Sequence, residues 1–332
     1  MSAPELRDSA TPPVLAPRPY QILSLSGGGY RGLYSAAVLA ALEEEAGAPL
    51  HTVFDMIAGT SIGGILAVGL SAGVPAGKLF DAFLANGRAI FPRSHRIRGV
   101  AVFPRIRFGA FAGRYAAKGL ADTIDAVLAQ APGRIAISDT LATLLVPSID
   151  VLAESYALFE RGVGDQTVAL RDIALATSAA PTYFPEHAIG SRLLADGGLV
   201  ANAPDIVALC RALARGHALE DIRIVSIGTA GDVGGRAARK PGSPGFVFSA
   251  KRLFEMTLQS QQKLSIDMAR QALGTLYLRL DKAPSADQAA AIGLDRVDLK
   301  ASATLQNLAR ETLGAARVDH AAQFRDILGR RV

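Results

Sequence analysis

The stretch ILSLSGGGYRGLYSAAVLAALEEE, Ile22 to Glu45, restricts the fold more than any other part of the chain. A short apolar run, long enough for a buried strand, enters three consecutive glycines and leaves as a helix. Glycines at such a junction bare the backbone, and the helix start adds positive potential, so something negatively charged is expected to approach their N–H groups. That charge is either the phosphate of a bound molecule or an oxyanion that exists only during a reaction.

The rest of the chain repeats the strand-then-helix pattern. Strands are expected at 21–26, 53–58, 141–151, 192–195, 221–230 and 276–281, with helices at 32–46, 62–72, 201–216 and from Phe246 onward. Alternation over this length predicts an α/β fold with a mostly parallel central sheet covered on both faces. Met56 to Gly77 carries no charge over about the length that spans a bilayer. Its six glycines and one proline fit a strand, a sharp turn and a buried helix better. The first 19 residues hold acids and four prolines before Pro19 ends the stretch and lack a continuous apolar core, so they read as a flexible arm and not as a signal peptide. Residues 20–332 read as a single domain, with a C-terminal helical region from about residue 246. Half the residues are hydrophobic and 20% are charged, which is a globular composition. The single cysteine, Cys210, permits no disulfide framework, suits a reducing cytoplasm, and is expected on a buried helix face.

A second junction carries the chemistry. GTSIG, Gly59 to Gly63, is G-x-S-x-G between an apolar strand and an apolar helix. A sharp turn there forces Ser61 into a strained backbone and lifts its hydroxyl out of the sheet. Gly59 and Gly63 let strand and helix pass closely, and the helix dipole points at any charge developing on the serine. The first glycine run, Gly27 to Gly32, also fits the dinucleotide pattern G-x-G-x-x-G. That pattern wants an acid at the end of the second strand, whereas Asp55 precedes or enters it. With Ser61 one unit downstream, the glycine loop reads better as an oxyanion hole.

A nucleophilic serine needs a base. Of the five histidines, only His187 lies near a plausible site, and none sits in a triad-like context. LLADGGLVANAP offers a carboxylate instead: Asp196 follows a strand, and Gly197 and Gly198 permit a tight turn toward Ser61. A buried Asp196 can serve as the base of a two-residue site.

SLSGGGYRG, GTSIGG, ATSAAPTYFP and ADGGLVANAP, in that order and followed by VSIGT, resemble the motifs of patatin-like phospholipases. The resemblance implies a three-layer α/β/α domain that hydrolyses fatty acyl esters through an acyl-serine, without metal or other cofactor. Carried onto this sequence, it makes Ser61 the nucleophile, Asp196 its base, and Gly27, Gly28 and Gly29 the oxyanion hole, with Arg31 and Gly32 alongside. Many family members carry Asp where this chain has Ser26, a departure that leaves the donors in place and puts the anchoring of the loop in question.

From Asp81 to Asp122 the chain holds no intervening acid, while Arg88, Arg93, Arg96, Arg98, Arg105, Arg107, Arg114 and Lys118 alternate with aromatics including Tyr115. As a solvated basic loop this is unremarkable. As a functional surface, it suits lipid headgroups or a phosphate-bearing regulator. The net charge of +5 favours anionic partners without choosing between these. The opening motif and the modest length resemble bacterial effectors of cyclic-oligonucleotide anti-phage (CBASS) systems. That resemblance implies a cytoplasmic enzyme acting peripherally on membrane phospholipid, switched on by a cyclic di- or oligonucleotide, able to form homo-oligomers, and without a DNA or RNA partner. The alternatives are an unregulated lipid esterase or transacylase, or a nucleotide-binding protein whose serine is silent.

Overall fold

The computed structural model describes residues 18–92, 95–97, 100–102, 114–231 and 249–328. The expected flexible arm (apart from its last two residues), most of the basic segment and the 232–248 loop therefore lie outside the described residues. The first half of the chain forms β1 (Tyr20–Leu25), α1 (Gly32–Ala46), α2 (Leu50–Val53), β2 (Met56–Gly59), α3 (Ile62–Ser71), α4 (Ala76–Ile90), β3 (His95–Ile97), β4 (Val100–Val102) and α5 (Lys118–Leu128). There follow β5 (Thr143–Asp150), β6 (Ser155–Glu160), α6 (Leu170–Thr177), β7 (His187–Ile189), β8 (Arg192–Asp196), α7 (Gly198–Ala201), α8 (Asp205–Ala214) and β9 (Ile222–Ile227). The chain ends with α9 (Ser249–Leu273), β10 (Tyr277–Leu280), α10 (Ala286–Ala291), α11 (Leu299–Asp319) and α12 (Ala321–Leu328).

The main sheet runs β10-β9-β1-β2-β5-β8-β7, with β6 also paired to β5. From β10 to β5 every pairing is parallel, and β6, β8 and β7 add antiparallel ones. Alternate side chains of β1 separate the two covered faces. Leu23 and Leu25 join one apolar cluster with α1, α3 and α11, while Ile22 joins the other with α8 and α9. This is the three-layer α/β/α arrangement expected from the alternation. Among the described residues, no helix is long and apolar enough to cross a membrane. The uncharged Met56–Gly77 stretch is β2, α3 and the start of α4.

The order of pairing along β5 brings distant parts of the chain together. Leu145–Asp150 pairs along one edge with β6. The other edge is shared in succession, by β2 at Thr143–Leu145 and by β8 at Ser148–Asp150. β8 thus takes over where β2 stops, and its last residue, Asp196, faces Ser148 just beyond the turn that follows β2.

Two local expectations are corrected. The second strand was expected at 53–58, but Val53 closes α2 and the strand starts at Met56. Cys210 is exposed rather than buried. α8 buries Asp205, Ala208, Leu209 and Ala212, and residue 210 falls outside that stripe.

Candidate active site

The turn after β2 holds Ser61 at φ 55° and ψ −126°, on the positive-φ side that non-glycine residues rarely occupy. Its neighbours explain how this is maintained. The Ser61 N–H donates to Thr177 Oγ1 at 3.1 Å, and the Thr177 hydroxyl donates to the Pro147 carbonyl at 2.7 Å. Thr60 donates its hydroxyl to the Ala201 carbonyl at 2.6 Å. A Cβ on Gly63 would stand 2.8 Å from the Ser26 carbonyl oxygen and collide with that of Leu25, while one on Gly59 would lie 2.8 Å from Ala67 Cβ and run into Gly63. α3 therefore crosses the end of β1 at backbone contact, a crossing that only glycine allows. Gly63→Val is expected to destabilise the protein by roughly 3 kcal/mol or more, because backbone cannot move aside as a side chain can. Urea unfolding followed by circular dichroism checks this, and an unchanged midpoint would count against it.

Ser61 Oγ donates to Asp196 Oδ2 at 2.7 Å, and Asp196 Oδ1 accepts the Gly198 N–H at 2.7 Å. The main chain of the acidic turn is fixed too, by Asp196 N–H to the Ala179 carbonyl and Gly197 N–H to that of Thr177. A Cβ on Gly197 would collide with the Pro147 carbonyl, which accounts for the first glycine of DGG. Asp196 is buried, and burial pushes its carboxyl up to about 6, with the Ser61 hydroxyl and Gly198 N–H opposing the rise. His187 lies on β7, where its Nε2 contacts Asp172 Oδ1 at 2.9 Å. The serine's hydroxyl is bonded to Asp196, not to this histidine.

The glycine loop lies beside this pair. A Cβ on Gly27 would collide with the Asn202 side chain and stand 3.2 Å from Ser61 Cβ. Gly28 is packed against Thr229, the residue that ends VSIGT, and Gly29 adopts φ 56°. One of the three expected oxyanion donors is corrected. The Gly27 N–H donates to the Asn202 carbonyl at 2.9 Å, so it is already engaged. Among the described residues no acceptor takes the Gly28 or Gly29 N–H, so both remain uncommitted beside Ser61. Arg31 directs its Nε toward the Gly28 carbonyl at 3.5 Å, and Gly32 packs on Ile62.

The question raised by Ser26 has a structural answer. Its N–H donates to Ile227, and its hydroxyl accepts from Arg279 Nη1 at 3.1 Å. Arg279, reaching over from β10, also donates to Ser226 at 2.7 Å and to Asp281 at 2.6 Å. Asp281 in turn accepts the Ala230 N–H. The loop is anchored without the family's aspartate.

The acid that a dinucleotide site requires is at the wrong end of the sheet. Asp55 precedes β2 and accepts from the Gln21 N–H and Arg18 at the amino-terminal edge, opposite the glycine loop. Of the basic segment, Arg93, Arg98, Arg105 and Arg107 lie outside the described residues, as does the side chain of Arg96 on β3. Arg88 is exposed at the end of α4, Lys118 pairs with Asp122, and Arg114 and Tyr115 both meet Asp295.

Several participants carried no sequence signal of their own. Asn202 donates its side-chain amide to the Gly27 carbonyl at 3.3 Å and to Gln262 Oε1 at 2.5 Å, while Gln261 bonds both the Asn202 N–H and the Gly198 carbonyl. α9 thus clamps the acidic turn against the glycine loop.

Comparison with known proteins agrees with the geometry. Residues 23–209, more than half of the chain, match the model of the patatin-like phospholipase family. A "cGAMP-activated phospholipase" of Pseudomonas aeruginosa is 35% identical over 92% of this chain and 88% of its own length. One of the same name from Vibrio cholerae is 34% identical over 87% and 88%. "Patatin-like protein 2" of Arabidopsis thaliana is 35% identical over 57% of this chain and 51% of that protein. With these motifs in this arrangement, the chain belongs to the patatin-like phospholipases, a family of lipid acyl hydrolases.

Proposed function

We propose that the protein is a phospholipase A-type enzyme that cleaves fatty acyl esters of membrane phospholipids through Ser61 and Asp196, and that a cyclic dinucleotide activates it. The observation that carries the chemistry is the 2.7 Å bond from Ser61 Oγ to a buried carboxylate, at a positive-φ serine beside two glycines with uncommitted N–H groups.

In the first half-reaction Ser61 Oγ attacks the ester carbonyl carbon while Asp196 takes the hydroxyl proton. The carbonyl oxygen becomes an oxyanion that the Gly28 and Gly29 N–H groups receive; donors of this kind each contribute about 3 kcal/mol to the transition state. The C–O bond to the lysophospholipid breaks as Asp196 returns the proton to the leaving oxygen. In the second half-reaction Asp196 deprotonates a water that attacks the acyl-serine, releasing fatty acid and restoring the hydroxyl. The raised carboxyl suits both roles, since a base near 6 is ionised at neutral pH yet basic enough to accept a proton.

Activation is supported by the names of the relatives and by the basic character of residues 88–118. The test is release of fatty acid from phospholipid vesicles, with and without cyclic GMP–AMP and other cyclic di- and trinucleotides. Hydrolysis is expected to need one cyclic dinucleotide. Hydrolysis independent of every nucleotide would discard the activation step and retain the lipase, and a response to none of the vesicles or nucleotides would contradict the whole reading.

A further inference from the structure

The connection between α10 and α11, residues 292–298, takes no part in the chemistry above, yet it contacts the glycine loop directly. The Leu294 carbonyl accepts the Tyr30 N–H at 2.7 Å. The same carbonyl packs against Gly29 so closely that a Cβ there would collide with it. Tyr30 is held at its other end as well, its hydroxyl meeting Ser302 Oγ at 2.7 Å on α11. The position of Leu294 therefore fixes where the backbone of Gly29 lies.

The adjoining residue faces a different partner. Asp295 Oδ2 accepts from Arg114 Nη1 at 2.8 Å and from the Tyr115 hydroxyl at 3.0 Å. These two residues are where the basic segment rejoins the described structure. They are themselves fixed to the ATSAAPTYFP loop, Arg114 N–H to the Thr182 carbonyl and Tyr115 N–H to that of Tyr183. The Tyr115 ring packs among Phe91, Tyr183 and Phe184, so both ends of the basic segment meet in one aromatic cluster. On the other side of Asp295, Asp298 caps α11 by accepting the Ala301 N–H at 2.8 Å. Consecutive residues thus join the end of the basic segment to the loop that bares Gly28 and Gly29.

Resting on the acyl-hydrolase reading, we infer that Asp295 is a positioning residue: by tying Arg114 and Tyr115 to the 292–298 loop it holds Leu294 against Gly29 and Tyr30, and so aims the oxyanion donors. Movement at the end of the basic segment would then reach the donors through one side chain. The Arg114–Asp295 pair is partly exposed, with side chains 41% and 27% accessible, and pairs of that kind contribute little to global stability. A change in turnover on its removal would accordingly report geometry and not unfolding.

The test compares wild type with Asp295→Ala, Asp295→Glu and Tyr115→Phe, each in the presence of cyclic GMP–AMP or the other cyclic dinucleotides, using p-nitrophenyl butyrate as a soluble substrate and amide hydrogen exchange across residues 26–33. Asp295→Ala is expected to lower kcat about 10-fold with KM within about two-fold, since small misplacement of catalytic groups acts on the chemical step. Exchange of the Tyr30 N–H, which the Leu294 carbonyl accepts, should be faster, Asp295→Glu should recover part of the loss, and Tyr115→Phe should show a smaller change of the same sign. Unchanged kcat and exchange in Asp295→Ala, or a raised kcat, would overturn the inference. If Asp295→Ala does not fold, Tyr115→Phe, which keeps the packed ring, decides by the same readouts. Absence of Ser61-dependent ester hydrolysis in wild type would instead count against the acyl-hydrolase reading, and the exchange measurement would still show whether the glycine loop depends on Asp295.

Discussion

Ser61→Ala is expected to lower fatty acid release by about four orders of magnitude or more, as loss of a covalent nucleophile does, while leaving the fold unchanged. The substitution removes one oxygen. The contacts that impose the turn are made by the main chain: the Ser61 N–H to Thr177, the Thr60 N–H to the Leu25 carbonyl, and the close crossing at Gly59 and Gly63. None of these needs the hydroxyl. Asp196 loses a donor that lowers its proton affinity, so the carboxyl should rise further in the variant. Retention of more than about a hundredth of wild-type activity would mean that another group attacks the ester, because the donors and substrate binding alone leave far less than a covalent pathway does.

The second large effect belongs to Asp196→Asn. An amide preserves the size of the side chain and can still accept the Gly198 N–H, but it cannot take the serine's proton. Loss of a general base of this kind costs about 10²- to 10⁴-fold in rate. Stability should move the opposite way. Burial raises the Asp196 carboxyl from its ordinary 3.8 to about 6, so the folded state binds its proton more tightly than the unfolded chain does. That contribution to stability is present in full below about pH 4 and is lost as pH rises through about 6. At pH 7 the wild type holds an ionised, buried carboxylate at a cost of roughly 1–3 kcal/mol. The amide carries no such cost, so Asp196→Asn should unfold at higher urea concentration than wild type at neutral pH and lose that advantage near pH 4. In wild type the same titration should appear as a single inflection near 6 in kcat/KM, with activity falling on the acid side. A variant that kept its activity, or a flat profile between pH 5 and 8, would remove Asp196 from the role of base.

The parts of this site that could be read in the sequence are those where backbone meets backbone. Three glycines before a helix, Gly59 and Gly63 around a serine, and Gly197 and Gly198 after an acid each mark a place where a Cβ would meet main chain or a packed side chain. Such crowding excludes every other residue, so it leaves a mark on the sequence at short spacing. Which N–H groups remain free leaves no such mark. Gly27 looks like its neighbours in the sequence, and only the packing of Asn202 against it shows that its donor is occupied. Gln261, Gln262 and Asp295 were illegible for the same reason. Their partners are far away in the chain, and their polar side chains look like any solvated face until α9 and the 292–298 loop are in place. Cys210 shows the opposite error: its apolar neighbours in the sequence suggested burial, but helix periodicity turned it outward.

The fold was legible because buried parallel strands and helices alternate in composition. The antiparallel end of the sheet was less so: β8 was expected at 192–195, but β6, with three of its six residues polar, and β7, only three residues long, were not. Yet it is β8, following β2 along one edge of β5, that delivers Asp196 to Ser61. Sequence motifs identify the two residues, and the topology of one edge explains why they meet.

The most direct test of this account is to treat the protein, with its activating nucleotide present, with a fluorophosphonate and locate the adduct by peptide mass spectrometry. The account predicts a single phosphonylated residue, Ser61, with labelling slowed in Asp196→Asn and absent in Ser61→Ala. Labelling at another residue, or hydrolysis that persists after Ser61 is fully modified, would contradict it.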